Sequence, residues 1–196
     1  MRTLPLLLSL AALTSPAWAL EETDFRFHLD LLLNQEYEVS IGEFDFEPEF
    51  DHAIGFRAQL VQPLNVLETG ELISVIGAGY MDAIDDDFVD SGIQLKYQAW
   101  TFHYGLGYRA ELGPLDLDMY PYAGLGWVSY EFGRDSDPAL IMEFGAQVDL
   151  AFTGDSWQFG LGAGWRYRSS DHFLGSTDHS VVHTSPSVNA FVGYRF

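Results

Sequence analysis

Charged side chains recur at every second position along several short stretches of this 196-residue sequence. In one such stretch, Arg26, His28 and Asp30 alternate with large apolar residues. Arginines and carboxylates can satisfy each other by charge-assisted hydrogen bonds when they share an enclosed space. This pattern predicts a lumen polar network of twelve residues: Arg26, His28, Asp30, Arg57, His103, Arg109, Glu111, Glu143, Asp149, Arg166, Arg168 and Arg195. A packed polar plug is the expected form of this network, and a narrow conduit or a ligand site is the alternative.

Two acidic stretches form a second group with possible chemistry. The first stretch contains Glu43, Asp45, Glu47, Glu49 and Asp51. The second contains Asp82, Asp85, Asp86, Asp87 and Asp90. Clustered carboxylates suit Ca²⁺ or Mg²⁺, but neither stretch has the EF-hand spacing. A solvated charge run is the alternative interpretation. We therefore assign no metal site and no cofactor, and keep Asp85, Asp86 and Asp87 as candidate ligands.

The segment 169–184 contains His172, His179 and His183, which are zinc ligands or simply polar loop residues. His183-Thr184-Ser185 resembles the His-x-Ser motif of the PagL-like outer-membrane lipid A deacylases. A hydrolase needs a base beside its nucleophile and a carboxylate that orients the base. In this chain Pro186 follows Ser185 where that family has asparagine, and no acidic residue follows it. We assign no catalytic residue, and a lipid-modifying enzyme remains the alternative function.

Glycine pairs of the form Gly-x-Gly recur in the segments 104–108, 122–127 and 159–165. A dinucleotide-binding loop would have to open a helix after a strand. These glycines instead recur with period 2 inside strand-like segments. We expect them to leave room inside a narrow barrel for larger side chains.

Eight segments with period-2 alternation supply the elements that would position these residues. They span about 24–33, 52–62, 71–81, 97–112, 117–130, 140–152, 157–168 and 185–196. Loops at 34–51, 82–91, 131–139 and 169–184, which are long except for the third, alternate with short connections. An even number of strands of this length is typical of a transmembrane barrel with long outer loops and short periplasmic turns.

One face of each segment is apolar and rich in aromatic residues, as in Trp100, Phe102 and Tyr104. None of the eight basic residues after position 19 falls on this face, where each would cost about 2–4 kcal/mol at the bilayer midplane. A soluble sandwich or lipocalin-like barrel also alternates, but it presents a well-charged face to water. The opposite faces here are sparse in charge and rich in glycine, which favours the membrane barrel.

Residues 1–19 are predicted to be a secretory signal peptide, with Arg2 before an apolar run and Ala17-Trp18-Ala19 as the cleavage site. Residues 20–196 then form one barrel domain. The chain has no cysteine and a net charge of −20. Such acidity excludes nucleic acid as a plausible partner, since nucleic-acid binding depends on neutralising phosphates.

The terminal segment Ser185–Phe196 alternates apolar residues and ends on Phe196, and in this it resembles the closing strand of the OmpA/OmpX-like outer-membrane barrels. The resemblance implies an all-β, eight-stranded antiparallel transmembrane up-and-down β-barrel in the outer membrane of a Gram-negative bacterium. Its implied partners are outer-membrane lipids, lipopolysaccharide and the barrel assembly machinery, which would recognise Tyr194 and Phe196. The expected function is structural or interactive, with acidic outer loops that meet divalent cations or partners, and a narrow pore is a further alternative.

Deletion of Phe196 is expected to lower the amount of folded protein in the outer membrane, because the closing strand would lose its terminal aromatic signal. Quantitative immunoblotting of membrane fractions measures this. Unchanged levels would count against Phe196 as an assembly signal.

Overall fold

The computed structural model describes residues 22–41, 44–46, 49–85, 95–132, 135–171 and 179–196. These residues form nine strands: β1 Asp24–Ile41, β2 Phe44–Phe46, β3 Glu49–Leu67, β4 Gly70–Asp85, β5 Leu95–Leu112, β6 Leu115–Phe132, β7 Asp135–Thr153, β8 Trp157–Asp171 and β9 His179–Arg195. No helix among them is long and apolar enough to cross a membrane.

The strands form one antiparallel sheet that closes on itself, because β1 pairs with β3 on one edge and with β9 on the other. The short β2 continues β3 in the same register, since Val39 pairs with Phe46 and Glu36 with Glu49. These two strands therefore occupy one position of the barrel. The predicted eight-stranded antiparallel barrel is confirmed.

Burial alternates along each strand with the period that the sequence predicts. In β1, the outward Phe25, Phe27 and Leu29 are 42–49% exposed, whereas Arg26 and His28 are fully buried. Successive side chains of a strand point to opposite faces of the sheet. The sheet therefore has an apolar outer face and a buried inner face.

We call the end of the barrel where Glu22 and Phe196 lie, with the tight turns near 68–69, 113–114 and 154–156, the terminal end. The opposite end is the loop end. The strands reach further towards the loop end than the sequence predicts. The first predicted loop, 34–51, is largely strand: β1 continues to Ile41 and β3 begins at Glu49. Likewise β4 ends at Asp85, β7 begins at Asp135 and β9 begins at His179.

The physical reason for this correction is that charged composition does not interrupt backbone pairing at the end of a barrel. The sequence Glu36-Tyr37-Glu38-Val39 keeps the period-2 alternation although half of it is acidic. All four residues pair with β9, and Glu36 and Val39 also pair with β3 and β2 on the other side, which satisfies backbone groups there. The prediction of a loop over all of 34–51 is therefore wrong, because acidic residues here belong to paired strands.

The inward glycines make room for large side chains, in agreement with the sequence-based expectation. A Cβ on Gly160 would meet the ring of Phe191, and one on Gly145 would lie 2.5 Å from the hydroxyl of Tyr122. A Cβ on Gly162 would meet the carboxylate of Asp149. The space above each of these glycines is thus filled by a larger side chain from the paired position of the neighbouring strand.

Replacing Gly126 with alanine is expected to impair folding. Its Cβ would overlap the carbonyl oxygen of Trp100 and lie 2.8 Å from Thr101 Cα, which are backbone atoms that cannot rotate away. Overpacking of this kind costs about 1–3 kcal/mol. The measurement is the fraction of refolded protein that migrates as a compact band on unheated denaturing gels. Gly154→Ala is the control, because its Cβ would lie at an ordinary 3.4 Å from Trp157 O. Equal folding of both variants would contradict the prediction.

Candidate functional site

The barrel interior is the candidate functional site, because it gathers nearly all the charged residues selected from the sequence. Its inward side chains come from all eight positions of the closed sheet. Alternation in each strand turns them inward, and closure brings together residues far apart in the chain. We call this set of buried charges the ionic interior.

At the terminal end, Asp24 is the centre of a cluster that joins β1 to β5 and β9. Its carboxylate accepts hydrogen bonds from Arg109 Nη2 at 2.7 Å and Arg195 Nε at 2.7 Å. It also accepts one from Arg26 Nη2 at 3.2 Å. Asp24 is fully buried, so these arginines replace the water that its charge has lost.

Asp118 of β6 completes this terminal cluster. Arg109 donates two hydrogen bonds to the Asp118 carboxylate, from Nε at 2.7 Å and from Nη2 at 2.9 Å. Arg26 Nη1 lies 2.7 Å from the same carboxylate. Asp116, one step closer to the terminal end, pairs with Arg195 Nη2 at 3.1 Å.

Asp24, Asp116 and Asp118 are functional residues that the sequence-based selection missed. The alternation contained a usable signal, because Asp116 and Asp118 share the parity of Gly124 and Gly126, which were placed inside. Their side chains are buried, as is that of Tyr120 on the same face. Extending the inward parity of β6 to its first residues would have found them.

A second cluster occupies the middle of the barrel around Asp30. Arg57 binds this carboxylate with Nε at 2.6 Å and Nη2 at 2.8 Å. Arg166 Nη2, from β8, lies 2.6 Å from Asp30 Oδ2. One step closer to the loop end, Arg168 Nε donates to Glu143 Oε2 at 2.5 Å.

Neutral polar groups connect these charges. The buried carboxylate of Asp149 accepts hydrogen bonds from the Tyr120 hydroxyl at 2.9 Å and from Gln147 Nε2 at 2.8 Å. The other contacts are His28 Nδ1 with Asn189 Oδ1 at 3.1 Å and Gln59 Nε2 with His103 Nε2 at 3.0 Å. Both histidines therefore have an amide partner inside the barrel.

The charges of the ionic interior balance. Six arginines project into it, and all of them have a carboxylate partner: Arg26, Arg57, Arg109, Arg166, Arg168 and Arg195. Six carboxylates are buried among the described side chains: Asp24, Asp30, Asp116, Asp118, Glu143 and Asp149. This balance makes the interior close to neutral in formal charge.

Glu111 does not belong to the ionic interior, although the sequence pattern placed it there. It lies next to the end of β5 and its side chain is exposed. At this position the barrel wall ends, so a residue of inward parity is already in contact with solvent.

His183 and Ser185, the residues of the His-x-Ser motif, do not lie on the lipid face. Both lie within β9 rather than in a loop, and both are buried on the inner face. The Ser185 hydroxyl contacts the backbone carbonyl oxygens of Pro186 at 2.8 Å and Leu33 at 3.2 Å. The ring of His183 instead packs 5.9 Å from that of Tyr97. This arrangement does not support the lipid-modifying alternative, which requires a nucleophile and base on the lipid face.

The metal candidates are only partly described. Asp85 is the last residue of β4, and Asp86 and Asp87 lie outside the described residues. Within the described part of the chain, no group of three or more acidic or histidine side chains could hold a metal ion. His172 also lies outside the described residues.

Tyr194 and Phe196 lie on the outer face at the terminal end. Tyr194 packs edge-on against Trp157, with ring centroids 5.4 Å apart, and against Phe196 at 5.3 Å. The Phe196 N–H donates to Thr23 O at 3.1 Å, so Phe196 is fixed to the residue that precedes β1. Their role as an assembly signal remains a prediction.

Comparison with protein families matches residues 6–196 to the model described as the outer membrane protein beta-barrel domain. Among solved structures, Neisserial surface protein A is 11% identical, with 88% of this chain and 97% of that chain covered and a TM-score of 0.56. The outer membrane protease OmpT from Escherichia coli is 9% identical, with coverage of 93% and 99% and a TM-score of 0.52. Ail of Yersinia pestis is 16% identical, with coverage of 89% and 99% and a TM-score of 0.47. A search of curated proteins finds no match. At these identities the structural likeness concerns the fold alone.

Replacing Asp24 with asparagine is expected to destabilise the barrel strongly. The change keeps the side-chain shape but removes the carboxylate charge that three arginines share, so mainly Asp118 and Asp116 remain to compensate them. Removing one partner of a buried ion pair costs about 3–5 kcal/mol. The measurement is the free energy of unfolding in denaturant, followed by tryptophan fluorescence in lipid vesicles. Glu22→Gln removes one charge from an exposed neighbour and is expected to unfold like the wild type. An unfolding free energy of Asp24→Asn equal to that of this control would refute the proposed role of Asp24.

Proposed function

The chain belongs to the outer membrane protein β-barrel family, and we propose that it is a closed membrane anchor. At its loop end it presents an acidic surface, which we call the acidic rim, to divalent cations or cationic partners outside the cell. The observation that carries this proposal is the charge balance of the ionic interior. Since the six inward arginines equal the six buried carboxylates in number, the acidic excess that gives the net charge of −20 comes from the rest of the chain.

The acidic residues are concentrated at one end of the barrel. Bacterial outer-membrane barrels have short periplasmic turns and longer extracellular connections, so we place the loop end outside the cell. The segments 34–52, 82–96, 129–138 and 169–184 contain 17 of the 29 acidic residues and only two basic ones, Lys96 and Arg134. The proposed extracellular surface is therefore strongly acidic.

A filled interior supports an anchor rather than a pore. The cluster at the terminal end crosses the barrel from β1 to β5 and β6. In the middle, ion pairs join β8, β1 and β3, and the Tyr120 hydroxyl of β6 reaches Gln59 of β3 at 3.2 Å. Nearer the loop end, buried apolar side chains pack together over much of the wall, among them Leu32, Met81, Tyr97, Val128 and Ile141. Water and ions would have to displace both kinds of layer to pass through.

The acidic rim has a chemical consequence in an outer membrane. The phosphate groups of lipopolysaccharide are also negative, so direct contact between them and the rim is repulsive. Divalent cations bind to clustered carboxylates and can bridge them to phosphate oxygens. Cationic proteins or peptides could neutralise the same charge. This supports ions or basic partners as the proposed ligands.

Calcium titration of the folded protein in nanodiscs tests the proposal. We expect heat above that of empty nanodiscs, with a dissociation constant on the order of 0.1–1 mM, as in extracellular Ca²⁺ modules. The triple variant D85N/D86N/D87N should reduce this heat because it removes three carboxylates of the proposed rim.

The matched control is the triple variant E22Q/E68Q/E111Q, which removes three exposed charges from the terminal end. This control should leave the heat of Ca²⁺ binding equal to that of the wild type. No heat above the empty nanodiscs, or an equal reduction in both triple variants, would overturn the proposed role of the acidic rim.

A further inference from the structure

A groove on the outer face at the terminal end is not explained by the ionic interior or by the acidic rim. It lies where the turn between β7 and β8 meets the end of β9 and has a volume of about 430 Å³. Its lining includes Phe152, Asp155, Ser156, Trp157, Phe159 and Tyr194. None of these side chains takes part in the ion pairs of the interior.

The groove changes from polar to apolar along the barrel axis. Asp155 and Ser156 lie in the turn, where the barrel meets the aqueous phase. Phe152 and Phe159 pair across β7 and β8 and are 53% and 57% exposed on the outer face. Beyond them the apolar surface continues with Leu150 and Leu161 into the lipid-facing band. This order matches a phospholipid, with its headgroup at the turn and an acyl chain along the strands.

The charge at the terminal end selects among headgroups. Glu22, Glu68, Glu111 and Asp155 are exposed at the terminal end. The described arginines near this end are held by carboxylates of the interior: Arg26, Arg109 and Arg195. The carboxylates at the terminal end would therefore repel an anionic headgroup and attract an ammonium group.

Aromatic rings in the groove add to this preference. Trp157 and Tyr194 pack edge to face at 5.4 Å, beside the turn that carries Asp155. Aromatic faces attract cations, and tryptophan does so best. An ammonium group in the groove could contact the Asp155 carboxylate and an aromatic ring at the same time.

We propose that this groove binds a glycerophospholipid with a primary ammonium headgroup from the adjacent periplasmic leaflet. The ammonium contacts Asp155 and the aromatic pair, and one acyl chain lies along Phe152 and Phe159. This inference depends on the membrane location of the family and not on the proposed function of the acidic rim.

Native mass spectrometry of the folded protein, released from micelles with equal amounts of phosphatidylethanolamine and phosphatidylglycerol, tests the inference. We expect phosphatidylethanolamine adducts to predominate. Asp155→Asn should lower the ratio of the two adducts by about threefold, the size of one exposed charge contact. Asp155 is exposed in a turn, so this variant should fold normally.

Glu68→Gln is the matched control, because it removes an equal exposed charge from another turn at the same end, outside the groove. It should leave the adduct ratio unchanged. Equal adducts of both lipids on the wild type, or the same decrease in both variants, would overturn the proposal. The same decrease in both variants would mean that the total negative charge of the terminal end, and not the groove, sets the preference for phosphatidylethanolamine.

Fluorescence quenching locates the lipid independently. Phosphatidylethanolamine brominated near the headgroup should quench the wild type more than Trp157→Phe, because Trp157 lies in the groove. Brominated phosphatidylglycerol should give a smaller difference in quenching between the wild type and Trp157→Phe. Equal quenching of both proteins by the ethanolamine lipid would contradict binding at this position.

Discussion

The pairing of buried arginines with buried carboxylates is the interaction on which the rest of this barrel depends. A closed sheet of eight strands places inward charges where water is scarce, and an unpaired charge there is strongly unfavourable. Asp24 illustrates the constraint, since it is fully buried and receives three arginines from β1, β5 and β9. One of them, Arg195, is 171 positions away in the sequence. The cluster can therefore form only when the first and last strands meet.

This constraint also shapes the functional possibilities. Side chains that compensate one another across the barrel fill it, and the inward glycines provide the room for them. Charges that are neutralised inside cannot attract a partner, so the acidity of the chain acts at its surfaces. The two proposals follow from this separation. One concerns the acidic rim outside the cell, and the other concerns a groove on the lipid-facing side, where Asp155 stands beside Trp157 and Tyr194.

Local alternation determined most of what could be known from the sequence. Period 2 is a property of each strand by itself, so it identified the faces of Arg26, Phe27 and Gly126 without knowledge of their neighbours. The absence of basic residues from the apolar face indicated a lipid environment. Strand ends were less certain, because acidic composition resembles a loop, and only pairing with neighbours extends β1 to Ile41.

Only the tertiary structure decided which charges meet. Alternation placed Arg57 and Arg166 inside, but their shared carboxylate, Asp30, lies on a third strand that closure brings between them. Nor could local pattern show that Ser185 is buried against a backbone carbonyl. Partner choice depends on strand register and barrel curvature, which arise from contacts across the whole chain. Sequence by itself thus determined the faces of the barrel, and the closed fold determined its interactions.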